Sequence, residues 1–342
     1  MEATFLPARP YIPVLAPQDT PRVSVLPLFA PAEPKKPENL PFIEANTKEV
    51  EMSHLKDDCI IPVFSKDNEV TISHQSFIET ILDAAQSVFP RESISSPSIR
   101  VSHVVKGRIP EAIHKPVSQL LESDKTIYYE RMMFCFEIPT IYQDIDGSRL
   151  NLTIGGVRAY NEQNLYAKKS PEKFKIFIGF KNMVCCNLCV STDGYKASLR
   201  VMDVSAMLTS AVDLFQSYDM ERHLALMAAY QSVGMSESQF AQFLGRCRLY
   251  QYLPSAEKKH LPELLLTDTQ IGMVARSYYE DEHFGKTDDR YISLWKVYNL
   301  FTGSNKSSYI DNFLDRAENA STVTTGLARA LHGDAEYAWF LS

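Results

Sequence analysis

The sequence predicts an α+β fold: a mainly antiparallel sheet over about residues 95–202, a helical C-terminal half, and a disordered proline-rich N-terminal tail. Three observations carry this. Ten of the 19 prolines fall between Pro7 and Pro41. Apolar residues then alternate with period two through the middle third, as on a half-buried strand. After Asp203 the period becomes helical and stays so, which places the helices after the strands. The boundaries that follow are a tail over 1–41, a strand-rich region with one early helix over 42–202, and a helical region packed on it over 203–342.

In the tail, proline removes donors and biases each preceding residue towards extended geometry, so no helix forms. Its apolar residues, among them Tyr11, Ile12, Val25 and Leu28, suit docking of short extended segments on the body or on a partner. From Phe42 the body begins. Cys59 to Phe64 reads as a strand that Pro62 confines to a sheet edge, and Ser65 to Asn68 as a turn. Ser73 caps a helix to about Phe89, with Phe77, Ile78, Ile81, Leu82, Ala85 and Val88 on one side. A loop follows, then a strand from Ile99 to Val105, a loop over Gly107 to Lys115, and a helical turn near Val117–Leu121.

Thr126 to Tyr142 is a long strand, and Asp146-Gly147 supplies hairpin chemistry before the next, Leu150 to Tyr160. Gly155-Gly156 predicts a bulge or a close backbone approach there. Lys173 to Lys181 alternates, with Phe174, Ile176, Ile178 and Phe180 on one face and Lys173, Lys175 and Lys181 on the other. Met183 to Ser191 and Leu199 to Met202 complete the run, and short connections favour an antiparallel meander. Asp203, Ser236 and Thr267 are helix caps, the last two within capping boxes. Further helices are expected over 291–302, 307–318 and 322–332, with Gly303 and Gly333 as stops.

Six cysteines in 342 residues do not read as a disulfide framework, so a reducing, cytoplasmic setting is expected. The start has no continuous apolar run like that of a signal peptide, and no window approaches the ~18 apolar residues of a membrane helix. No membrane partner is expected.

Residues 100–200 carry 15 basic and 10 acidic side chains, hence +5, whereas the segments on either side are each −6. Lys106, Arg108 and Lys115 cluster in the loop after the 99–105 strand. Arg158, Lys168, Lys169, Lys173, Lys175 and Lys181 extend the positive charge along the sheet, with Tyr128, Tyr129, Tyr160 and Tyr166 interleaved. Cations that track phosphates beside rings that stack on bases are what single-stranded nucleic-acid binders use. A solvated sheet face with tyrosines in cross-strand packing accounts for the same pattern.

Catalytic signatures are absent: there is no nucleophile elbow, no H-E-x-x-H and no paired carboxylates. Cys186 and Cys189 form one C-x-x-C without the second pair that tetrahedral zinc needs. No metal, cofactor or catalytic residue is expected. Gly303, Ser304, Asn305, Lys306 and Ser307 lack phosphate-loop spacing, but amides and a lysine at a helix start suit an anion. The competing explanation is a helix stop followed by a cap.

The stretches DDCIIPVFSKDNEVTISHQSFIE, IRVSHVVKGRIPEAIHKP, LTIGGVRAYNEQNLYAKKSPEKFKIFIGFKNMVCCNLCVSTDG and LWKVYNLFTGSNKSSYIDNFLDRAENA resemble the domain of unknown function 3871 family, from Phe42 to the end. The order of VCCNLCVS and LWKVYNLFTGSNKS is also similar to a broader set of phage- and plasmid-borne proteins. The resemblance implies mobile-element cargo of gut anaerobes, carried on conjugative transposons or prophages, and supplies no catalytic or cofactor residues. The expected function is non-enzymatic binding of nucleic acid, single-stranded, through the basic sheet face. The alternatives are a protein-binding module, such as an inhibitor of a host defence enzyme, with a host or element-encoded partner, and an enzyme with an unfamiliar site near residues 303–308.

Overall fold

In the computed structural model, which describes residues 40–59, 71–112, 114–163 and 170–342, the alternating stretches pair into one antiparallel sheet. Its strands are β1 (Lys48–Val50), β2 (Ser98–Arg108), β3 (Lys125–Ile145), β4 (Ser148–Ala159), β5 (Glu172–Asn182), β6 (Leu188–Cys189) and β7 (Tyr195–Val201). The order is β1-β2-β3-β4-β5-β6, and β7 pairs with β5 along the same edge as β6. Residues 1–39 of the tail and the turn at Ser65 to Asn68 lie outside the described residues. So does the strand expected after Cys59, although Cys59 itself bridges to Ile127.

Asp146 and Gly147 both have positive φ and close the β3–β4 hairpin with Ile145 opposite Ser148, as a two-residue turn of this hand requires. Gly155 and Gly156 mark a close approach. A Cβ on Gly155 would sit 2.1 Å from the Phe134 carbonyl oxygen, and one on Gly156 2.5 Å from the Phe77 ring. The irregularity in pairing falls in β3 instead, between Ile138 and Tyr142. Residues 183–191 are not one strand. The chain turns after Asn182, Cys186 takes φ 58, and only Leu188–Cys189 pairs.

Helix α1 (Met52–Asp57) precedes α2 (His74–Val88), and α3 (Val204–Ser217) follows the sheet. Then come α4 (Met220–Ala229), α5 (Glu237–Tyr252), α6 (Ser255–Lys258), α7 (Asp268–Glu280), α8 (Leu294–Asn305) and α9 (Ile310–Leu331). A small ladder of β8 (Gly234–Ser236) with β9 (Tyr291–Ser293) sits among them. Ser73, Asp203, Ser236 and Thr267 each accept from the third helical amide, as the cap pattern predicts. The expected helices 307–318 and 322–332 are one. The helix runs on through Asn319, Ala320 and Ser321, where a gap was expected, and the hydroxyls of Thr322, Thr324 and Thr325 bond back one turn to Glu318, Ala320 and Ser321. Gly303 lies inside α8 rather than ending it, while Gly333, at φ 100, follows the end of α9.

Helices cover both faces of the sheet. Phe77, Ile78 and Ile81 of α2 and Met207 and Ala211 of α3 share a core with Phe134, Ile154, Ile176 and Ile178. On the other face Ile310, Phe313, Leu314 and Ala317 of α9 pack over Met133, Cys135, Val157 and Phe177. Residues of β5 are therefore buried on both sides, which removes the solvated basic face that alternation alone suggested. Among the described residues no helix is long and apolar enough to cross a membrane.

Candidate interaction surface

Strand parity does place Lys173, Lys175 and Lys181 on one face of β5, but each meets a carboxylate there, and Lys175 lies against α9. Lys175 Nζ lies 2.8 Å from Asp315 Oδ2 and also donates to the Asp311 carbonyl. Tyr195 donates to the other Asp315 oxygen at 2.5 Å. Lys173 pairs with Glu162 at 2.5 Å, and Lys181 with Glu137 at 2.8 Å. Lys175 and Lys181 are buried. A cation taken from water needs such partners, and each lysine has found one inside its own chain.

Arg158 lies on β4 beside β5, as expected, but faces the opposite core. It is fully buried, donates to the Ile72 carbonyl at 2.9 Å and pairs with Glu172. The rings of Tyr160 and Phe174 flank its guanidinium at 4.4 and 4.2 Å, a low-hydration setting that arginine tolerates better than lysine. Lys168 and Lys169 lie outside the described residues.

Gly303, Ser304 and Asn305 form the last turn of α8, and Lys306 and Ser307 follow it. A helix end presents carbonyls rather than free amides, so the expected anion geometry is not formed. Lys306 is buried and donates to the Cys185 carbonyl, and Asn187 donates to the Asn299 carbonyl at 3.0 Å. These contacts bring VCCNLCVS and LWKVYNLFTGSNKS together as a polar seam between sheet and helices.

Burial pushes the thiols of Cys135, Cys185 and Cys189 up to about 12, which keeps them protonated near neutrality. It drives His74 down to about 3 and His223 to about 4. Among the described residues no group of three or more histidines, cysteines or carboxylates is placed to hold a metal ion. A cavity of about 520 Å3 opens beside α9 with Tyr195, Glu263, Asp315 and Glu318 in its wall. Asp315 is held there by Lys175 and Tyr195, and Glu318 by Thr192 and Thr322.

Lys106, Arg108 and Lys115 come together elsewhere. β4 ends at Ala159, opposite Arg131, so β2 and the start of β3 run on past it as an arm. Lys106 lies opposite Ile127 and Arg108 opposite Lys125. Residues 109–112 and 114–124 cap this arm, organised on Asp124. Its carboxylate accepts from Lys115 Nζ at 2.7 and 2.9 Å and from the Leu121 amide at 2.9 Å. The Lys115 bond first, and the Leu121 amide second, hold the Asp124 carboxyl below its usual range. Arg108 donates to the Lys115 carbonyl at 2.7 Å, and the Ile109 amide to the Asp124 carbonyl at 3.0 Å.

The pinned loop leaves Val117 75% and Leu121 62% exposed, with Val104 53% exposed on β2 nearby in the chain. Lys106 is exposed too, and no carboxylate among the described residues lies within ion-pair distance of it. Sequence reasoning found the basic residues of this arm but missed its apolar ones. The Glu122-Ser-Asp124 turn before a strand was the available signal.

Residues 28–341 match the profile of a family described as a domain of unknown function, B. Theta Gene description. The match starts inside the proline-rich stretch, earlier than the Phe42 boundary expected from the sequence. No curated protein and no solved structure matches the chain.

Proposed function

Since the chain belongs to the domain of unknown function 3871 family, whose description names no reaction, we propose a role from the molecule itself: a non-catalytic binding protein that holds a protein partner on the β2–β3 arm. The observation that carries this is the exposure of Val117 and Leu121 on a loop fixed by the Asp124 bonds. Large apolar side chains held out in water by a rigid frame lose little entropy on docking and gain the burial of their surface. An inhibitor of a host enzyme is one form such a protein takes. The test is affinity capture with the native chain and, in parallel, with a Val117→Ser, Leu121→Ser variant. A protein retained by the first and lost from the second, at unchanged melting temperature, supports the proposal. Identical retained sets contradict it.

A second reading keeps single-stranded nucleic acid as the partner. Lys106, exposed and without a carboxylate in reach, favours it, with Arg108 beside it and Lys168 and Lys169 as further cations in sequence. A salt titration of oligothymidylate binding separates the two. Phosphate contacts weaken log-linearly with salt, whereas an apolar contact does not.

A further inference from the structure

β1 covers the outer edge of β2 only from Ile99 to Val101. From Val104 to Arg108, β2 is paired to β3 on one side, and no strand among the described residues pairs with the other. An edge left this way carries a row of main-chain donors and acceptors. His103, at φ 58, opens the stretch, and the residues after it remain extended up to the loop that Asp124 holds. Charge blunts such edges against self-association, and Lys106 and Arg108 do so here.

We infer that the outer edge of β2 from Val104 to Arg108 takes an extended segment of the partner as an added strand, with carboxylates of that segment facing Lys106 and Arg108 and an apolar side chain facing Val104. This rests on the arm being the contact surface. Main-chain pairing supplies affinity in such strand addition, and alternate side chains supply selectivity. A second copy of this chain is a poor occupant. Antiparallel pairing of the stretch with itself sets cation against cation at or next to the centre of the ladder, which is destabilising.

The test selects a phage-displayed library of random linear peptides on the whole chain. Enriched sequences should carry one apolar and two acidic residues at every second position, all on one face of the peptide strand, and N-methylation at alternate positions should weaken them on the order of tenfold or more, because it removes the donors that strand addition uses. Successive amides of a strand point alternately to its two neighbours, so one of Val104→Pro and Val105→Pro removes only an outward donor. That variant should keep the native melting temperature and lose the peptides. The other should melt lower. Enriched peptides indifferent to N-methylation overturn the inference, as does a failure to enrich any, whether or not oligothymidylate binds. The arm proposal survives either result if Val117→Ser with Leu121→Ser still releases a captured partner. Peptides held equally by that variant and by Lys106→Glu with Arg108→Glu overturn both.

Discussion

Lys175 on β5 and Asp315 on α9 form an ion pair across the sheet–helix interface, with the lysine side chain only 7% exposed. The pair turns what alternation presents as a solvated basic face into interior. Removing one member leaves the other without its partner, a loss that is large when both are buried. Asp315 remains 32% exposed, so water offsets part of it. Lys175→Ala should therefore cost about 2–3 kcal/mol in urea unfolding. Lys173→Ala, whose pair with Glu162 is more accessible, should cost under about 1 kcal/mol. Equal, small losses would mean that α9 does not clamp the sheet through this contact.

The glycines divide into two groups with opposite outcomes. A Cβ on Gly155 would collide with main-chain atoms of β3, whereas Gly245 in α5 and Gly272 in α7 have nothing within 4 Å of that position. Gly155→Ala should lower stability by about 3 kcal/mol or more, since neither backbone can move aside within a paired sheet. Gly245→Ala and Gly272→Ala should each raise it by about 0.5–1 kcal/mol, the helical preference for alanine over glycine. Thermal melts of the three variants check both signs.

How far the sequence was legible shows in these same residues. Period two located the long strands, and cap chemistry located the starts of α2, α3, α5 and α7 correctly, because both are set by neighbours in the chain. What covers a sheet face is not local. Nothing near Lys175 signals that Asp315, 140 residues later, will sit on it. Arg158 was misassigned for a related reason: charge in a strand reads as exposure unless its partners, here Glu172 and two rings, are already known. Gly303 reads as a helix stop and 319–321 as a gap between helices, yet both lie inside helices whose tertiary packing overrides the local signal. The arm was half legible, since its cations are visible in composition while the exposure of Val117 and Leu121 depends on how Asp124 folds the loop.

Stability should fall between neutral pH and pH 4 through two histidines. His74 is buried, with Nε2 2.8 Å from the Tyr129 carbonyl, and His223 is buried with Nδ1 2.6 Å from the Tyr218 hydroxyl. Burial first, and for His74 the Arg158 charge second, hold their folded values at about 3 and about 4, below the ordinary 6.5. Below pH 6.5 the unfolded chain takes up protons that the folded one refuses, so folding free energy drops as pH falls. Each histidine contributes a slope approaching about 1.4 kcal/mol per pH unit. Urea unfolding at pH 7 and pH 5 should show the loss, and His74→Gln with His223→Gln should flatten it. A native profile already flat over that range would contradict the burial of these rings.

Asp124→Asn should loosen the arm without unfolding the body. It removes the charge that holds Lys115 while the core clusters on both sheet faces stay intact. Amide exchange over residues 114–125 should speed up with the global melting temperature nearly unchanged. Unaltered exchange there would show that the loop does not depend on Asp124.

Photo-crosslinking tests the arm most directly. A photoreactive side chain is placed at Val117, and at exposed Leu208 of α3 as a control, in cells that make the full chain. A polypeptide adduct formed from position 117 and not from 208, and lost when Lys106→Glu and Arg108→Glu are added, is the expected result. Equal adducts from both positions, or adducts to nucleic acid alone, would contradict a protein-binding arm.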